Sequence, residues 1–249
     1  MAFLEVKGLK KTYKARLQAN KVEALRNISF SVEKGEFVAI MGESGSGKTT
    51  LLNILAMFDK PTEGEVFLEG KNMSAITEKE ISKFRRNHLG YVFQDFNLLD
   101  TFHVEDNILL PLVLAGVSYN DMMSKLAAVI DKLKIRDLMK KFPYEISGGQ
   151  KQRTAIGRAL ITEPDLIFAD EPTGALDSNA ADQLMEYFEE IHRGGQTILM
   201  VTHSSKAAAY ASRVLFIRDG KIFHQIYKAE RSNREMYEEI LKAMTMLAG

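Results

Sequence analysis

Residues Gly42–Thr50 read "GESGSGKTT" and follow directly on the apolar run "FVAIM", Phe37–Met41. The stretch holds three glycines, two serines and one lysine, with no bulky apolar side chain. The main chain itself is then the working surface, because glycines let a loop curl until successive N–H groups point at one anion. The spacing Gly42, Gly47, Lys48, Thr49 fits the phosphate-binding loop, which needs a strand before it and a helix after it. Phe37–Met41 reads as a strand buried on both faces of a parallel sheet. Leu51, Leu52, Ile54 and Leu55 place a helix after the loop. In this reading the N–H groups of Gly45 to Thr49 wrap a β-phosphate, aided by the positive end of the helix. Lys48 bridges the β- and γ-phosphates, and the Thr49 hydroxyl holds Mg²⁺.

Two more stretches carry chemistry. In "LIFADEP" a buried strand delivers Asp170 to its C-terminal end, where open α/β sheets bind ligands. Asp170 suits a grip on Mg²⁺, directly or through a water. Glu171, next in line, can polarise an attacking water as general base. Alone, this is a strand ending in solvated acids before a proline turn; the phosphate loop upstream gives the acids their role. In "EISGGQKQRTAIGRAL", Ser147 is a candidate helix N-cap followed by two glycines. A hydroxyl and exposed N–H groups at a helix start form a second anion site, although in isolation the same pattern is an ordinary capped helix.

Composition narrows the field. The chain has 249 residues, 45% of them apolar, with Lys+Arg and Asp+Glu equal at 33 each. A strongly basic nucleic-acid footprint is absent, so no nucleic-acid partner is expected. There are no cysteines, which excludes disulfides, thiolate metal sites and a cysteine nucleophile. The start "MAFLEVKGLKK" shows no secretory pattern. The longest apolar stretch, "ILLPLVLAG", is far short of the roughly 20 residues a membrane helix needs. Work at a membrane therefore requires another chain to span it.

Strand patterns recur at "FLEVKGLKKTY", "ALRNISFSVEKGEFVAIM", "GEVFLEG", "HLGYVFQ", "DLIFAD", "TILMVTH" and "RVLFIRDGKIF". Asn97 to Leu160 is mostly helical, a helix runs through "ADQLMEYFEEIHR", and Ala229 to Gly249 has helical spacing with many charges. The order predicts a parallel α/β core interrupted by a helical insertion.

The combination resembles the nucleotide-binding subunit of an ABC transporter over nearly the whole chain. "GESGSGKT" matches the Walker A loop, "LIFADE" Walker B with its glutamate, and "ISGGQ" the family signature, with Ile146 where leucine is usual. Gln94 in "VFQDF" matches the Q-loop, "ALD" ending at Asp177 the D-loop, His203 in "VTH" the switch histidine, and Tyr13 in "KTY" the adenine-stacking aromatic. The resemblance implies a P-loop ATPase fold, one ABC domain over 1–249. It divides into an N-terminal antiparallel β subdomain and first part of the core (1–94), a helical subdomain (95–162), the second part of the core (163–224) and a C-terminal helical extension (225–249). It implies ATP and Mg²⁺, with Glu171, His203 and Gln94 catalytic and Thr49, Gln94 and Asp170 on the metal. Nucleotide binding falls to Tyr13, Gly42, Ser44, Gly45, Ser46, Gly47, Lys48, Thr49 and Thr50. Ser147, Gly148, Gly149, Gln150 and Asp177 act across a head-to-tail homodimer, so that the second anion site serves the partner's nucleotide.

"KARLQANK", "FNLLDT", "FADEPTGALDS" and the tail "SNREMYEEILKAMTMLAG" resemble the lipoprotein-release and macrolide-export branch, and within it the Bce-type ATPases of bacitracin and antimicrobial-peptide resistance. That implies a location on the cytoplasmic face of the membrane, an integral permease partner and often a sensor histidine kinase. Phe96, Leu98, Leu99, Phe102, Met122, Met123 and Met139 are candidate permease contacts or core. The alternatives are a regulatory switch on a membrane partner without solute transport, as in cell-division complexes, and lipoprotein or macrolide export. A soluble ABC protein of translation or DNA repair usually carries two cassettes or long coiled-coil insertions, and this sequence has neither.

Overall fold

Every residue of Phe37–Met41 is buried, and its side chains alternate between two cores. In the computed structural model, which describes residues 2–14 and 21–248, Phe37, Ala39 and Met41 face one apolar cluster and Val38 and Ile40 the other. Successive strand side chains point to opposite faces, so a strand covered on both sides must be apolar at every position. The same split repeats at Leu166–Asp170 and Thr197–Thr202: Ile167, Ala169, Ile198 and Met200 join the first core, and Leu166, Phe168, Leu199 and Val201 the second.

In chain order the strands are β1 (Leu4–Lys14), β2 (Lys21–Val32), β3 (Phe37–Met41), β4 (Glu63–Leu68), β5 (Lys71–Asn72), β6 (Leu89–Val92), β7 (Leu166–Asp170), β8 (Thr197–Thr202), β9 (Arg213–Arg218) and β10 (Lys221–Tyr227). The helices are α1 (Lys48–Leu55), α2 (Glu78–His88), α3 (Val104–Ala115), α4 (Tyr119–Leu133), α5 (Gly148–Leu160), α6 (Ser178–Arg193), α7 (Ser205–Ala208) and α8 (Asn233–Ala248). Among the described residues the larger sheet has the order β10-β9-β3-β8-β7-β6, parallel from β9 to β6 with β10 antiparallel at one edge. An antiparallel sheet, β2-β1-β4-β5, covers one face together with α1. Helices α3 to α6 and α8 supply the core on the other face. A parallel α/β core interrupted by helices between β6 and β7 is what the order of strand and helix patterns predicts.

Two elements go beyond the sequence expectations. Helix α2 starts at a Thr77–Glu80 capping box, the Glu80 carboxylate accepting from the Thr77 hydroxyl at 2.6 Å. Helix α8 belongs to the core rather than to solvent, since Met236 and Ile240 are fully buried in it. The segment Ala15–Asn20, most of "KARLQANK", lies outside the described residues.

Between β6 and α3 the chain has no regular structure, and Asn107 holds it in place. Its side chain, with no exposed surface, accepts from Leu99 N at 2.8 Å and donates to the carbonyls of Leu99, Phe102 and His103 at 3.1 Å. Asn107→Leu keeps the volume and takes the partner from Leu99 N and the Phe102 carbonyl, while the Leu99 and His103 carbonyls keep their main-chain donors Phe102 N and Asn107 N. Urea unfolding should then read a loss of about 2–3 kcal/mol. A loss below about 0.5 kcal/mol would show that the loop is held by other contacts.

Candidate functional site

Strand register brings four separate sequence segments to one edge. Met41 pairs with Thr202, Asp170 with Val201, and Val92 with Ala169, so β3, β8, β7 and β6 end nearly level. The loop after β3, the acids at the end of β7, His203 after β8 and Gln94 after β6 therefore meet at the carboxyl edge of a parallel sheet, where such folds bind ligands. Gln94, Glu171, His203 and loop residues that include Ser44, Gly45, Thr49 and Thr50 line an open cleft of about 650 Å³, with Asp170 just outside its lining.

The loop is built around its glycines. A Cβ on Gly42 would lie 2.2 Å from the Ile217 carbonyl oxygen. Gly47, at φ 103°, would place one 2.5 Å from the Ala24 carbonyl oxygen. Neither position has room for a side chain, and Gly47 also needs the left-handed backbone that glycine adopts freely. Lys48 is buried and its Nζ donates to the carbonyls of Gly42 and Glu43, both at 2.8 Å. Burial pushes its ammonium pKa down, while the Glu171 and Asp170 carboxylates act the other way. The Ser46 hydroxyl is buried with no hydrogen-bond partner among the described residues, and such a group calls for an explanation.

Asp170 ends β7, and burial, then the Glu171 charge, raises its carboxyl pKa against the opposing effects of Tyr91 and Lys48. The Tyr91 hydroxyl lies 3.4 Å from Asp170 Oδ2. Glu171 has a left-handed backbone, φ 44°, with its N–H donating to the Val201 carbonyl at 2.9 Å. Its Oε2 accepts from His203 N at 3.1 Å and sits 2.9 Å from His203 Nδ1. The Glu171 side chain is 14% exposed and that of His203 70%, so a sheltered carboxylate is paired with an open imidazole. Gln94 is exposed on the cleft, its amide beside Gly174. Among the described residues no group of three or more His, Cys, Asp or Glu side chains is arranged to hold a metal.

The ISGGQ segment lies elsewhere. Ser147 caps α5, its Oγ accepting from Gln150 N at 3.3 Å while the Gln150 side-chain carbonyl accepts from Ser147 N at 2.9 Å. A Cβ on Gly148 would meet Leu176 at 3.3 Å and one on Gly149 would meet Ala180 at 3.3 Å. Asp177 caps α6, its Oδ1 accepting from Ala180 N at 2.9 Å. The ISGGQ and ALD segments thus adjoin each other, and neither lines the phosphate-loop cleft of its own chain.

Tyr13 does not line that cleft either. Its hydroxyl donates to Asp59 at 2.8 Å, Lys11 Nζ lies 4.8 Å from its ring centre, and burial raises its pKa. Of the candidate permease contacts, Met139 is buried, Met122 and Met123 pack partly buried on the core, and Leu99 and Phe102 are exposed. Two residues near the site escaped the sequence reading: Tyr91, one of several strand aromatics, and Gln152. Gln152 shares the buried stripe Gln152, Ala155, Ile156, Ala159, and a polar residue at helical core spacing was the available signal.

The family profile described as "ABC transporter" matches residues 25–174. The chain is 48% identical over 250 residues to the bacitracin export ATP-binding protein BceA of Halalkalibacterium halodurans, covering 100% of this chain and 98% of the relative. It is 49% identical to the ABC transporter ATP-binding protein YxdL of Bacillus subtilis, covering 99% and 95%. Among solved structures, the ATP-binding cassette MJ0796, a dimer in a post-hydrolysis state bound to ADP and Pi, superposes with TM-score 0.82 at 35% identity, covering 90% of this chain and 98% of that one. A glycine-rich loop, two carboxylates, a glutamine and a histidine at one sheet edge, with likeness over at least 95% of both relatives, place the chain in the ABC transporter family as an ATP-binding, ATP-hydrolysing subunit.

Proposed function

We propose that two copies of the chain close head to tail over two ATP molecules and so drive a membrane permease. The observation that carries this reading is the separation of the capped ISGGQ helix start from the cleft of its own chain. An anion site that faces no anion of its own chain is suited to the nucleotide of a second copy, and a C₂ pair supplies both contacts at once. MJ0796, at 35% identity, is itself a dimeric cassette.

Within each site the residues divide the work. The Gly45–Thr49 N–H groups and Lys48 hold the β- and γ-phosphates, and the unpartnered Ser46 hydroxyl lies in the same loop. Tyr13, exposed and outside the phosphate-loop cleft, is the aromatic available to stack on the base. Mg²⁺ fits the oxygen donors of Thr49, Gln94 and Asp170, whose carboxyl pKa is raised by burial and then by the Glu171 charge; when bound, the ion would neutralise charge on the phosphates. Glu171 accepts the proton of the attacking water as general base. His203 orients Glu171 through the contacts at 3.1 and 2.9 Å and faces the γ-phosphate.

The cargo is a cell-wall-active peptide of the bacitracin class, a reading supported by the relative whose name is bacitracin export ATP-binding protein. The chain docks from the cytoplasmic face onto its permease, and no helix among the described residues is itself long and apolar enough to cross a membrane. Supporting that, an apolar groove beside Phe93 carries the exposed Phe58 and Leu114.

Lys48→Ala removes the cation facing the phosphates, so calorimetry should find ATP affinity lowered at least about tenfold; normal binding would remove the phosphate-loop assignment. A mixture of Lys48→Ala and Ser147→Arg chains, differently tagged, contains one doubly damaged and one intact site per mixed pair. With ATP and Mg²⁺, mixed pairs should exceed like pairs. Equal pairing would mean that ISGGQ does not act in trans.

A further inference from the structure

Gln152 lies inside α5 with no exposed surface. Its amide nitrogen donates to the Pro172 carbonyl at 2.9 Å and to the Phe93 carbonyl at 3.2 Å. Only a two-proton donor satisfies two carbonyl acceptors, so the orientation of the amide follows from its surroundings. Phe93 immediately precedes Gln94, and Pro172 immediately follows Glu171. One side chain therefore ties together the two main-chain segments that carry the cleft's glutamine and its glutamate. The amide oxygen is buried with no hydrogen-bond partner among the described residues, so the side chain is kept in the core at a cost that packing does not explain.

The same helix grips the segment after Gln94. Arg158 donates to the Phe96 carbonyl at 2.9 Å and to that of Asn97, two residues with left-handed backbone at φ 62° and 49°. Glu171 is also left-handed, at φ 44°. Such conformations persist where surrounding contacts over-determine them. At Phe96 and Asn97 the contacts come from the helix that begins at ISGGQ. At Glu171 they come from Val201 and His203, with Gln152 holding the next carbonyl, that of Pro172.

We infer that Gln152 is a positioning residue: its carboxamide sets the spacing of Gln94 and Glu171 across the nucleotide cleft and fixes both to the ISGGQ helix. The inference rests on the proposed roles of those two residues. Movement of α5 against a second copy would then shift Gln94 and Glu171 together rather than singly.

The test is made on the full chain with Gln152→Met, which keeps the length and removes both donors; Gln152→Asn, which keeps the amide but withdraws it by one methylene, serves if the first does not fold. Hydrogen exchange should rise at 92–97 and 170–176 together, with β8 unchanged. ATP turnover should fall by about tenfold to a hundredfold in kcat with KM nearly constant, the scale of a displacement of about 1 Å. In a Glu171→Gln background the same change should cost less than about threefold, because residues acting as a unit are not additive. Unchanged exchange at either segment overturns the tether, and equal losses in both backgrounds reduce Gln152 to a general structural role. If Glu171→Gln alone leaves turnover intact, the base assignment fails, while the exchange result still decides the tether.

Discussion

The molecule depends on the level ending of parallel strands covered on both faces. Because Phe37–Met41, Leu166–Asp170 and Thr197–Thr202 are apolar on both sides, their polar residues are confined to the ends, and the register brings those ends together. Gly42, Asp170, Glu171 and His203 are neighbours for that reason, although more than 160 residues separate the first from the last. A slip of one residue in any of these strands would turn its core residues to the wrong face.

The electrostatics of the cleft follow from that meeting. Two consecutive carboxylates, one with a raised pKa, share the edge with one buried lysine whose ammonium is held among loop carbonyls. Buried charges of this kind are favourable only with partners. In the proposed function a phosphate chain with its cation would suit this arrangement, with Lys48 and the loop N–H groups toward anionic oxygens and Asp170 toward the positive ion. Asp177 caps a helix within its own chain, and the same carboxylate stands beside the ISGGQ segment where a second copy would approach.

Much of this was legible in the sequence, for identifiable reasons. The strand–loop–helix context of Gly42–Thr50 and the apolar lead into Asp170 are local patterns, and local patterns survive without coordinates. The burial of α8 was not legible, because helical spacing with many charges does not say what the apolar positions meet, and Met236 and Ile240 pack on a core assembled from distant segments. Gln152 was hidden because its partners, the carbonyls of Phe93 and Pro172, are main-chain atoms whose identity leaves no trace in composition. The placement of Tyr13 toward Asp59 likewise depends on a contact 46 residues away.

The central claim is that Glu171 is the base of an ATPase that works as a closed pair, and the most direct measurement is turnover and native mass of Glu171→Gln with ATP and Mg²⁺. Hydrolysis should slow roughly 10²–10⁴-fold, the usual weight of a general base, with a dimer that retains ATP. Turnover near that of the unaltered chain, or a monomer under ATP, would contradict it.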